Sequence, residues 1–126
     1  MKDLLKYLIP LQPMIKKAMG VRRKGDVLYC MRQETFHYTH EQDCCDLLIP
    51  LTIDPVNPER GLWGMLEKVK LIDNTNYYLE MRSTAFSDTV WVGYYDKNGK
   101  YFLKFTGTPT EAILKALCHQ EGVEVK

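Results

Sequence analysis

Residues 90–122 read VWVGYYDKNGKYFLKFTGTPTEAILKALCHQEG, and this stretch decides the fold. It carries a strand, a hairpin turn, a second strand and a capped helix in succession. Val90, Val92 and Tyr94 alternate with Trp91 and Tyr95, the period of two that a strand requires. Asn98-Gly99 marks the turn. A two-residue loop would set Lys97 against Lys100, whereas a three-residue loop over 97–99, with Gly99 left-handed, sets Asp96 against Lys100. Opposite charges across a strand pair are worth roughly 0.2–1 kcal/mol, so the longer loop is expected. After Gly107, Thr108 caps a helix, Pro109 takes its first position and Glu111 completes a capping box. Ile113, Leu114, Leu117 and Cys118 then face inward beside Ala112 and Ala116, while Glu111, Lys115 and His119 face outward. Gly122 ends the helix.

Upstream, residues 77–84 alternate Tyr77, Leu79 and Met81 with Tyr78, Glu80 and Arg82, a strand with one wet face. Residues 57–70 carry a second helix, with Asn57 as cap, Pro58 at its start and Leu62, Met65, Leu66 and Val69 as its apolar stripe. Gly61 and Gly64 each cost about 1 kcal/mol of helix propensity. Their spacing points to close approach of another backbone, expected to be a sheet. Residues 74–76 and 87–88 read as turns. Residues 26–32 read as a strand with Val27, Tyr29 and Met31 on one face. Residues 33–46 are polar and mixed, which fits a hairpin return or an ordered loop. Residues 47–53 form an extended edge segment, because Pro50 cannot donate within a central strand. Leu4, Leu5, Leu8, Leu11, Met14, Ile15 and Ala18 have helical spacing, but Pro10 and Pro13 interrupt it. Two short helices ending near Gly20 are expected, followed by the basic turn VRRKGD.

Together these elements specify an α+β fold. A mostly antiparallel sheet of three to five strands is packed by helices over 57–70 and 108–121, with a proline-broken helical segment at the N-terminus. A chain of 126 residues is expected to be one domain, with segments 1–25, 26–56 and 57–126.

The formal net charge is +1, so the whole-molecule field argues for neither nucleic acid nor membrane. No apolar run reaches the roughly 18 residues of a membrane span. The opening MKDLLKYLIPL is followed by no small-x-small cleavage site, and Lys6, Gln12, Lys16 and Lys17 interrupt the apolar stretch, so it is expected to be mature protein. Of the cysteines, Cys44 and Cys45 are adjacent and Cys118 lies in a helix, a pattern that favours free thiols with Cys30 in the reducing cytoplasm.

Candidate chemistry is sparse. His37, His40, Cys44 and Cys45, with Asp43, offer imidazole and thiolate to zinc. Adjacent cysteines chelate one ion poorly, however, and no metal or other cofactor is expected. Cys118 and His119 point about 100° apart on a helix and cannot act as thiol and base together. Lys16, Lys17, Arg22, Arg23 and Lys24 form a basic segment suited to phosphates. Tyr78, Trp91 and Tyr95 offer an aromatic face for a protein or for stacked bases.

From Asn57 onward the chain resembles small phage and prophage proteins whose domain is described as a phage sandwich of helices around an antiparallel sheet. The resemblance rests on NPERGLWGML at 57–66, the alternating strands, and TPTEAILKAL at 108–117, and covers roughly the last 70 residues. It implies an accessory protein that acts by binding, to a host or phage protein or to itself, without catalysis. A nucleic-acid-binding module using residues 16–24 and the strand aromatics is the alternative. A small metal-dependent enzyme built on the 37–45 loop is the weaker one.

Overall fold

A computed structural model of the chain describes residues 2–38, 47–69, 77–83, 89–96 and 98–124. The elements run α1 (Leu5–Leu8), α2 (Gln12–Met19), β1 (Val27–Cys30), β2 (Thr35–Tyr38), β3 (Leu47–Ile49), α3 (Leu62–Val69), β4 (Tyr77–Ser83), β5 (Val90–Asp96), β6 (Tyr101–Gly107) and α4 (Pro109–Gln120). The fold is α+β, and its antiparallel strands form two three-stranded sheets, β2-β1-β3 and β4-β5-β6. The turns expected at 74–76 and 87–88 lie outside the described residues.

Helix α4 is apolar on most of its surface because it lies at the centre. Ala112, Ile113, Leu114, Ala116, Leu117 and Cys118 are all buried, against α1, α3, β5 and β6. Its ends follow the expected chemistry. Thr108 Oγ1 accepts the Glu111 N–H at 3.2 Å. At the other end Gly122 is left-handed, with φ +69°. There the Gly122 and Val123 N–H groups donate to the carbonyls of His119 and Cys118 at 3.2 and 2.8 Å, closing a Schellman motif. On the outward side Lys115 Nζ lies 3.2 Å from Glu111.

In the hairpin, the β5–β6 register shifts between Tyr94↔Leu103 and Tyr95↔Tyr101. Strand β5 ends at Asp96 and β6 begins at Tyr101, and Gly99 between them has φ +80°. Lys97 lies outside the described residues.

Strand β1 departs from expectation. It ends at Cys30, and Met31 is exposed in the following turn. Leu28, Tyr29 and Cys30 are all buried, so no wet face alternates with a dry one. The reason is position: β1 is the central strand, between β2 and β3. Within the segment 33–46, residues 35–38 form a hairpin return to β1, and residues 39–46 lie outside the described residues.

Pro10 and Pro13 break the N-terminal helix as expected, and Pro13 falls in the first turn of α2, where its missing N–H costs nothing. Gln12, beside it, is buried and reaches β3. Its Nε2 donates to the Leu48 carbonyl at 2.8 Å and its Oε1 accepts the Leu48 N–H at 3.0 Å. The side-chain amide thus occupies the edge of β3 as a neighbouring strand's peptide would. Gln12→Leu keeps the volume but strands both Leu48 groups. It is expected to cost about 2 kcal/mol, measured by urea denaturation, and an unchanged midpoint would contradict this role.

The helix expected over 57–70 is divided. Residues Pro58–Arg60 form a 3-10 turn, Gly61 is extended (φ −80°, ψ 160°), and α3 begins at Leu62. The Asn57 side chain makes no cap bond. Asp54 takes the local role, its Oδ1 accepting the Val56 and Asn57 N–H groups at 2.9 Å each. The carbonyls of Leu51 and Thr52 receive the first amides of α3, from Leu62 at 2.8 Å and Trp63 at 3.0 Å. Both glycines do mark close backbone approach, but to this loop and not to a sheet. A Cβ on Gly61 would stand 2.8 Å from Asp54 N, and one on Gly64 would stand 2.0 Å from the Pro58 carbonyl oxygen.

Arg60 ties these pieces together. Its Nη1 and Nη2 donate to Asp26 Oδ1 and Oδ2 at 3.0 and 2.7 Å, and its Nε donates to the Met19 carbonyl at the end of α2 at 3.1 Å. Asp26 also accepts the Arg23 N–H at 2.9 Å, which closes the basic turn before β1. Both side chains are buried. One apolar cluster spans Leu8, Leu11 and Ile15, β1, β3, α3, Val92 and α4.

Candidate functional site

The alternation read along β5 places Val90 and Val92 against the core and Trp91 with Tyr95 on the opposite face. The two rings lie 6.2 Å apart, and Tyr78 stands opposite Tyr95 in register. This aromatic face is covered. Trp91 is only 9% exposed and Tyr95 5%. Arg82, directly opposite on β4, places its guanidinium 5.7 Å from the Trp91 ring, and Lys104 of β6 places its Nζ at 5.1 Å. Glu80 pairs with Arg82. Stacked bases would have to displace two cations that already hold the indole by cation–π attraction.

Lys16 and Lys17 on α2, and Arg22, Arg23 and Lys24 in the turn after it, are exposed. Helix α2 packs on β3 and on the 58–60 turn. The basic segment therefore belongs to the first sheet's side of the molecule, and the strand aromatics belong to the second sheet. Of the metal candidates, His40, Cys44 and Cys45 lie outside the described residues. His37 sits on β2 with Nε2 2.9 Å from Thr35 Oγ1. Cys30 and Cys118 are buried, and burial pushes the Cys118 thiol up to about 11, the reverse of an activated nucleophile.

Of strand β2 only His37 was an expected site residue, yet the aromatic side chains beside it are distinctive. Phe36 and Tyr38 share one face and are 41% and 66% exposed. Phe36 is anchored at 4.7 Å against the buried Tyr29 ring, while Thr35 and His37 occupy the other face. Among the described residues, no strand pairs with β2 on the side away from β1. Edge strands ordinarily carry charges that deter pairing. Strand β4 carries Glu80 and Arg82, β6 carries Lys104, and β3 is occupied by Gln12. Strand β2, Thr-Phe-His-Tyr, has neither protection among the described residues. The period-two alternation of 35–38 was the available signal, diluted by the polar residues around it.

No protein-family model, curated protein or solved structure matches this chain. Among the described residues, no helix is long and apolar enough to cross a membrane.

Proposed function

We propose that this is a cytoplasmic accessory protein of phage or prophage type that acts by binding another protein, without catalysis, and that the partner adds a strand to β2. The observation that supports this reading is an edge strand with no charged residue and two exposed aromatic side chains. Strand addition draws its affinity from main-chain hydrogen bonds and its specificity from alternate side chains. Phe36, held by Tyr29, and Tyr38 supply that pattern at i and i+2.

Tyr38→Lys tests it. Tyr38 is exposed, so the change should leave folding stability within about 0.5 kcal/mol. Loss of an aromatic anchor should weaken the captured partner's binding by at least about tenfold. Amide hydrogen exchange in the complex should show new protection over residues 35–38. A partner held equally well by Tyr38→Lys, with protection elsewhere, would refute the reading.

Nucleic-acid binding is the second reading, supported by the exposure of Lys16, Lys17, Arg22, Arg23 and Lys24 together. It requires heparin retention that survives moderate salt and is lost when these residues are neutralised.

A further inference from the structure

A cleft of about 350 Å³ opens where α1, β6 and α4 meet, on surface that the β2 reading does not use. Its lining includes two aromatic rings, that of Tyr7 from α1, itself only 7% exposed, and that of Phe105 from β6. The His119 ring leans on Phe105 at a centroid distance of 5.6 Å. Lys6 Nζ lies 5.1 Å from the centre of the Tyr7 ring. Lys115 is held in place by donating to the Thr106 carbonyl at 2.9 Å. The floor is neutral: Cys118 is buried, its Sγ donates to the Tyr7 carbonyl at 3.8 Å, and its thiol stays protonated at neutral pH.

No carboxylate lines this cleft among the described residues. Asp3 and Glu111 line a neighbouring one, on the other side of Lys6. Glu111 nevertheless reaches Lys115 at 3.2 Å and competes for its charge. The volume lies at the low end for small-molecule sites, roughly 300–1,000 Å³, and leaves room for one or two fused rings. Aromatic rings in the lining suit a planar ring, and the bases at the mouth suit a negative group attached to it.

We infer that this cleft binds a small planar aromatic anion, its ring between Tyr7 and Phe105 and its negative group at Lys6, Lys115 and His119. An amide NMR titration of the full chain tests this with three probes: indoleacetate, tryptamine and acetate. Indoleacetate should produce saturable shifts at the amides of Tyr7, Phe105, Lys115 and His119. Tryptamine, with the same ring and opposite charge, and acetate, without the ring, should bind far more weakly.

Two variants at exposed or half-exposed positions fix the sign. Lys6→Gln should weaken indoleacetate roughly two- to fivefold, the range of a solvent-exposed ion pair. Glu111→Gln removes the competing carboxylate and should strengthen it by a similar factor. Spectra of the unliganded variants must overlay the parent away from the cleft. Tyr38→Lys should leave the titration unchanged, which separates this site from β2. Equal binding of tryptamine and indoleacetate, no saturable shift at millimolar probe, or a Glu111→Gln variant that binds less tightly would each overturn the proposal.

Discussion

Arg60→Ala is expected to destabilise the protein by about 3–5 kcal/mol, because it leaves a buried carboxylate without its counter-charge. The loss has three parts: the paired bonds to Asp26, the bond to the Met19 carbonyl that finishes α2, and the packing of the arginine stem. Burial alone would push the Asp26 carboxyl up. The Arg60 hydrogen bonds, the Arg23 amide and the two nearby guanidinium charges outweigh it, and hold the group below its usual 3.8. The folded protein therefore takes up this proton less readily than the unfolded chain. The pair's stabilisation is present above the unfolded value and is lost as the pH falls through the lower folded one. Urea denaturation at neutral pH and at successively lower pH should show the gap between parent and Arg60→Ala narrowing in acid. The double variant Asp26→Leu with Arg60→Met should recover much of the loss, since replacing both charges removes the desolvation cost. An Arg60→Ala protein with parental stability, or a gap that widens in acid, would show that the pair is not what joins these segments.

Gly64→Ala carries the second large effect. Gly64 is in the first turn of α3, where alanine should gain at most about 1 kcal/mol of helix propensity. Its Cβ, however, would stand 2.0 Å from the Pro58 carbonyl oxygen, 2.7 Å from the Pro58 carbonyl carbon and 2.8 Å from Glu59 Cα. These are backbone atoms, and no side-chain rotation relieves the overlap. The 58–60 turn must move, and Arg60 moves with it. The net cost is expected to be about 3 kcal/mol or more, at the upper end of overpacking effects. Gly122→Ala is the control: at the left-handed position that ends α4 it has φ +69° but nothing within 4 Å. It should cost only the conformational strain, about 1 kcal/mol. Thermal melts of the two variants give the comparison, and equal losses would mean that the contact with Pro58 is easily relaxed.

Much of the fold was legible where the physics is local. Thr108, Pro109 and Gly122 act within a turn of themselves, and α4 starts and stops where they say. The period of two along β5 separated Val92 from Trp91 without any knowledge of neighbours. Legibility failed where partners lie far apart in the chain. Asp26 and Arg60 are 34 residues apart, and nothing near either announces the other. Gly61 and Gly64 signalled a close neighbour but could not name it. Asn57 has the right type for a cap, yet Asp54 wins the local amides because the chain turns three residues earlier. Of the candidate sites, the Trp91–Tyr95 face was visible, but its cover was not, since Arg82 and Lys104 reach it only through cross-strand register. The edge character of β2 depends on sheet order, which 35–38 do not encode.

Gln12 has a consequence for assembly. A sheet that can accept strands on both sides propagates, and each addition presents a fresh acceptor for the next. In the first sheet a single side-chain amide stands where the next strand on the β3 side would begin. Among the described residues, that sheet therefore has a valence of one. A strand that joins at β2 fills it, and two copies that join β2 to β2 terminate each other as a closed pair. Filament growth through this sheet would first require Gln12 to let go of Leu48.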